Sequence, residues 1–167
     1  TEPPGFKPPR PLVSTMVLDT AMTTVHVLVG ALWVGSVVFV TGAVLPAATD
    51  GVLDAAPLAT TADRLASLSR SAPVVMLLIG GHLAATGSTV ASLTGTARGH
   101  LVLAMLALWL AFTALVEVGR SRLVEGLREK RVRAPAAAAT GTFRAAAVVG
   151  VLLLVDAGLL SAGIALY

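Results

Sequence analysis

The chain contains no cysteine among its 167 residues, so disulfides, thiolate metal centres, iron–sulfur clusters and c-type haem attachment are excluded at once. It is also short of charge. Asp, Glu, Lys and Arg make up 13% of the sequence, about half the share usual in a soluble domain. Aromatic residues stand at 4%, whereas hydrophobic residues reach 56% and mean hydropathy is +0.87. So few charges cannot cover a globule of this size in water, and the composition predicts an integral membrane protein embedded in a lipid bilayer. The formal charge of +3 does not argue for a nucleic-acid partner, because the basic residues fall between apolar runs and not on one soluble face.

A bilayer core of about 30 Å needs roughly 20 apolar residues per helix. Four runs qualify, and they predict spans at about 17–45, 72–94, 99–118 and 144–166. Leu45-Pro46 is expected to close the first, since proline cannot continue the helical ladder. Ser71-Ala72-Pro73 reads as the start of the second, with a serine cap and an early proline. The turn from Thr94 to Gly99 is short enough to force an antiparallel hairpin. Between spans one and two, Leu58, Leu65 and Leu68 recur at near-helical spacing among Asp54, Asp63, Arg64 and Arg70, which reads as a short amphipathic helix at the membrane surface or as a solvated connector. The fold class is therefore all-α: an up-down-up-down, four-helix membrane bundle with a short amphipathic helix between helices 1 and 2.

Residues 1–15, rich in proline, read as an extended arm ahead of the bundle at 16–167, and the long apolar run behind them does not resemble a cleavable signal. Lys7, Arg10 and Arg98 share one side of the predicted topology, and nine other Lys and Arg residues share the opposite side. The positive-inside rule then places the 119–144 loop in the cytoplasm and both termini outside the plasma membrane of a prokaryote. The seven basic residues of that loop suit anionic headgroups.

Ionisable side chains at membrane depth are functional candidates by default. The chain places His26 in span one, His82 in span two, His100 at the start of span three and Asp156 in span four. From the helical rise, His26 and His82 both lie roughly 10–15 Å below the outer surface. Two histidines on neighbouring antiparallel helices suit a bis-histidine haem b, with Gly30, Gly35, Gly80, Gly81, Ala84 and Ala85 leaving room for the ring. Under that reading Arg98 and His100 meet the haem propionates at the outer interface. Trp33 packs against the ring, and Asp156 accepts the free N–H of a ligating histidine or relays protons. The rival use of the same residues is a Cu(I) site made by Met22, His26 and His100, since thioether and imidazole suit that ion. Each residue also has a plain packing role available to it: methionine as core filler, small residues as close helix contacts, Asp156 as a protonated acid bonded to Ser161 or Thr113.

The stretch His26-Val-Leu-Val-Gly-Ala-Leu-Trp33-Val-Gly35, continuing to Leu45-Pro46, resembles the first span of the copper resistance D (CopD) family and related small haem-associated membrane proteins. Gly80-Gly81-His82 and the four-span length resemble short single-domain members of that group, including haloarchaeal ones. The resemblance covers residues 16–167 and implies a four-helix module with histidines near the outer face, associated with copper handling or haem. Membrane protoporphyrinogen oxidases share a similar first span but carry an intramembrane lysine, and here Lys7 and Lys130 both lie outside the spans. The expected function is a small b-type cytochrome-like protein in electron transfer, as a subunit beside a larger redox partner, with a copper transport or copper-handling protein as the alternative.

Overall fold

A computed structural model describes residues 12–128 and 132–162. Helix α1 (Leu12–Phe39) runs through a π-helical segment, Val40–Val44, into α2 (Leu45–Asp50). There follow α3 (Ala55–Gly87), the short α4 (Val90–Gly95), α5 (Ala97–Arg128) and α6 (Arg133–Ser161), with no strand among the described residues. Four of these rods, Thr15–Asp50, Ala55–Gly87, Ala97–Leu127 and Arg133–Ser161, are long and apolar enough to cross a membrane. The protein is a multi-pass, all-α membrane bundle. The α1 rod neighbours α3 and α6, and α5 neighbours the same two, so the helices stand in a square with each next to its antiparallel partners.

The helices are longer than the apolar runs that announce them. The expected arm at 1–15 gives way to helix at Leu12, directly after Pro11, and residues 1–11 lie outside the described residues. Pro46 does not end the first helix. In the π-helical segment the Leu45 N–H donates to the carbonyl of Val40, which shifts the ladder by one residue. Pro46 is thereby left in the first turn of α2, where no N–H is needed. The rod stops at Gly51, whose φ of 77° is left-handed and whose N–H caps the carbonyls of Ala47 and Ala48.

The amphipathic segment is helical, as its leucines predict, and it runs without a break through Pro73 into the second span. That span ends at Gly87, earlier than 94. Ser88 and Thr89 turn extended, and Thr89 caps α4 reciprocally: the Ser92 N–H donates to Thr89 Oγ1 at 3.2 Å and the Thr89 N–H donates to Ser92 Oγ at 2.8 Å. The 119–144 segment is mostly helix too, because α5 runs to Arg128 and α6 starts at Arg133. They pack tightly there. A Cβ on Gly119 would come within 2.9 Å of the Phe143 ring, and one on Gly126 would collide with Pro135.

Packing is uneven along the bundle. The core is built from Trp33, Val37, Leu45, Leu58, Leu65, Phe112, Leu123 and Phe143 among others, nearly all in the half nearer the basic 119–144 segment. Large side chains meet small ones there, with Phe143 against Gly119 and both Val34 and Phe112 against Gly150, so shape complementarity closes that half. Trp33 and Phe112, in edge-to-face contact with centroids 4.6 Å apart, close the top of this core. Above them the bundle is looser.

Candidate functional site

Three cavities lie in the looser half, and His26 lines all of them. Their volumes are about 270, 260 and 490 Å³. The first lies between α3 and α5 and is apolar, with Met76, Gly80, Gly81, Met105 and Trp109 in its wall. The second reaches toward α6 past Gly30, Met76, Met105 and Gly158. The largest opens at the end of the bundle away from the basic segment, where Asp19, Thr23, Thr86, Ser88 and Arg98 form a polar mouth.

His26 is seated by a reciprocal fit between antiparallel helices. A Cβ built on Gly80 would lie 2.9 Å from His26 Cε1, and one built on Gly30 would lie 3.1 Å from Met76 Cε. Gly30 is one turn beyond His26 on α1, and Gly80 is one turn beyond Met76 on α3. Each helix thus offers a large side chain to the other's glycine, which brings the imidazole and the thioether to adjacent levels of the same cavity. The His26 Nδ1 atom is buried with no hydrogen-bond partner, and the ring lines the cavity. Met105 of α5 faces the same space. Among the described residues no three His, Asp or Glu side chains converge as a metal site. The donors that do converge are soft: one imidazole and two thioethers.

The other expected site residues separate into those that reach this cavity and those that do not. Gly30 and Gly81 line it, and Arg98 stands at its mouth. His82 does not. It lies two residues past Gly80, about 200° round the helix, and is exposed on the outer surface of α3. His26 and His82 share a level and not a face, so a bis-histidine haem pair is not assembled. His100 is held elsewhere: its Nε2 hydrogen-bonds the Thr94 carbonyl at 3.0 Å and closes the end of α4. Met22 lines none of the three cavities. Trp33 sits below them, 1% exposed, with its Nε1–H donating to Ser69 Oγ at 3.1 Å, so it is a core residue and not a wall of the site.

Asp156 is 6% exposed and is the only buried charged residue among the described residues. Its Oδ2 has no hydrogen-bond partner, and neither Ser161 nor Thr113 bonds to it, the Thr113 hydroxyl donating instead to the Trp109 carbonyl at 2.8 Å. The Trp109 Nε1 is likewise buried and unpaired. All three orphaned polar atoms of the described residues, on His26, Trp109 and Asp156, therefore belong to the loose half of the bundle.

Met76 escapes a reading that treats 53–70 and 72–94 as separate helices. The buried positions Leu58, Ala62, Leu65, Ala66, Ala72 and Met76 form one stripe. Extended by one turn, that stripe reaches Gly80 and passes His82 by. No protein-family model, curated protein or solved structure matches the chain.

Proposed function

We propose that the protein is a small membrane copper-handling protein that receives a single Cu(I) ion at His26, Met76 and Met105. The observation that carries this reading is that these three side chains, from three helices, line one cavity. Imidazole with thioethers is a donor set suited to Cu(I); Mg²⁺ and Ca²⁺ prefer oxygen, and Zn²⁺, which takes imidazole, pairs it with thiolate, carboxylate or further imidazoles and not with thioether. His26 supplies a ring nitrogen. Met76 and Met105 supply neutral sulfurs that adapt to a low coordination number.

In this account the basic end of the bundle is cytoplasmic and both termini are outside, so the cavity opens outward. Asp19 draws the cation to the mouth and Arg98 opposes entry of more than one charge. The ion then sheds water against the Thr and Ser hydroxyls and is taken up by the softer donors below. The Trp33–Phe112 contact closes the floor, which suits a protein that receives and hands over its ion at the outer face. The resemblance of the first span to CopD proteins points the same way.

The test is metal binding to purified protein, with Ag(I) as the air-stable probe beside Cu(I). One ion per chain should bind, and His26→Ala, Met76→Leu and Met105→Leu should each weaken it by at least tenfold. Binding that survives all three substitutions, or no binding by the wild type, sinks the reading.

A haem reading keeps one supporting observation, the glycine-lined apolar space around His26. Under it, haem b would be held by His26 with a methionine opposite, as in His/Met cytochromes, in a subunit beside a larger redox partner. A protein purified red, with a sharp reduced alpha band lost in His26→Ala, would favour haem over copper.

A further inference from the structure

The largest cavity is a well at the outer end of the bundle, and all four rods wall it: Asp19 stands on α1, Thr86 on α3, Arg98 on α5 and Leu160 on α6. Its volume of about 490 Å³ is in the range of sites that hold a small dissolved molecule. Of the residues that line it, only Asp19, Arg98 and His26 are titratable, and His26 lies two turns, about 10 Å, below Asp19 on α1. The rim therefore carries one carboxylate and one guanidinium, both exposed to water.

These two charges stand at one level. A Cβ on Gly150 would lie 2.9 Å from both Val34 of α1 and Phe112 of α5, so those residues share a layer. Asp19 is fifteen residues outward of Val34 and Arg98 is fourteen outward of Phe112, which leaves them about 1.5 Å apart along the axis. Their helices are diagonal in the square, with axes roughly 11–14 Å apart. Asp19 and Arg98 thus meet across the well, yet they do not pair: among the described residues the only ion pair joins Glu117 to Arg120. One turn deeper the wall becomes apolar. Leu83 lies three residues outward of Gly80, which seats His26, and Val102 lies one turn inward of Arg98. Counted outward from Gly150, Leu160 falls at the same depth.

We propose that the well binds a zwitterion with an apolar tail, an α-amino acid of the leucine type. Its carboxylate meets Arg98, its ammonium meets Asp19, and its side chain rests on Leu83, Val102 and Leu160. An organic ion of one sign is attracted by one wall and repelled by the other, whereas a zwitterion is attracted by both. The guanidinium fork suits a carboxylate, and the hydroxyl of Thr23, beside Asp19 on the same wall, is a further acceptor for the ammonium. An opening ringed by four helices admits a solute from water, where a lipid headgroup would need a gap at the side. The proposal does not rest on the metal reading, whose donors lie at the floor of the well and below it.

The test is calorimetric titration of the full chain in nanodiscs of phosphatidylglycerol, with L-leucine as the ligand. One leucine per chain should bind, with a dissociation constant at or below about 10 mM even at the low efficiency per atom of large ligands. Isocaproate, which lacks the ammonium, and isoamylamine, which lacks the carboxylate, should each bind at least about tenfold more weakly, because each leaves one wall charge unmet. Asp19→Asn and Arg98→Gln should weaken leucine binding by a similar factor, with a thermal melt of each variant showing an intact bundle. No binding of leucine, an analogue that binds as well as leucine, or leucine binding unchanged in both variants overturns the proposal. Leucine binding that disappears in nanodiscs of phosphatidylethanolamine gives the well to a zwitterionic lipid headgroup and overturns the assignment to a dissolved solute. The analogue comparison uses the wild type alone and so does not depend on either variant folding. Ag(I) titration of the same sample reads the metal site separately, so the two readings fail independently.

Discussion

Replacing Gly80 by alanine is a sharp perturbation of the site because it adds one methyl at a known place. That methyl would lie 2.9 Å from His26 Cε1, against the ~3.5 Å at which carbon atoms rest comfortably. The ring must move by at least about half an ångström, which is the tolerance within which a functional constellation works. Metal affinity should fall by about tenfold, the low end for changes that disturb a ligand's seat. Stability should change less. Alanine gains about 1 kcal/mol over glycine in a helix, and overpacking costs about 1–3 kcal/mol, so the net loss is about 0–2 kcal/mol. The neighbour supplies the control: a Cβ on Gly81 meets nothing within 4 Å. Competition of Ag(I) between protein and a chelator, with a thermal melt of each variant, reads both quantities. Unchanged affinity in Gly80→Ala, or an equal loss in Gly81→Ala, would refute the reciprocal seating of His26.

His82→Ala should leave metal affinity and any absorption spectrum unchanged, since its ring is exposed outside the cavities; a loss like that of His26→Ala would show that the two rings act together. Phe112→Ala removes a fully buried ring from the floor of the site and should destabilise the bundle by about 3–5 kcal/mol, measured by denaturation in mild detergent. Thr89→Ala breaks the reciprocal cap of α4 at a cost of about 1 kcal/mol and should raise hydrogen exchange at Val90–Leu93 without altering affinity. A cysteine at Thr96 should react with an impermeant thiol reagent in intact cells and one at Ala137 should not; reversed labelling would turn the cavity toward the cytoplasm.

The sequence carries the architecture because lipid makes long apolar runs unambiguous, and the four rods follow from their hydropathy. Their ends are harder to read. Pro46 signals a stop by its missing N–H, yet the π-helical turn before it makes the proline an acceptable first-turn residue. Leu53 to Arg70 reads as separate because its charges interrupt the hydropathy, but the same stripe of buried leucines and alanines continues through Pro73 to Met76. That continuity decides the site. Splitting the helix at Ser71 discards its phase, and without the phase His26 and His82 can be matched only by depth, which is correct for level and silent about direction. His26 is on the α1 stripe with Gly30, Trp33, Val34 and Val37, so its inward position is legible from spacing alone. The partnership of Met76 and Met105 is not, because it depends on the rotation of α3 and α5 about their axes, which packing fixes and composition does not. His100 is misleading for a similar reason: its register one turn into α5 brings it under the end of α4.

The most direct test of a soft-cation site is X-ray absorption spectroscopy of the Cu(I)-loaded protein. The expected spectrum shows a mixed shell of one imidazole nitrogen and two thioether sulfurs, with one sulfur lost in Met76→Leu and one in Met105→Leu. A shell of nitrogen and oxygen only, or a sulfur contribution unchanged in the double variant, would contradict it.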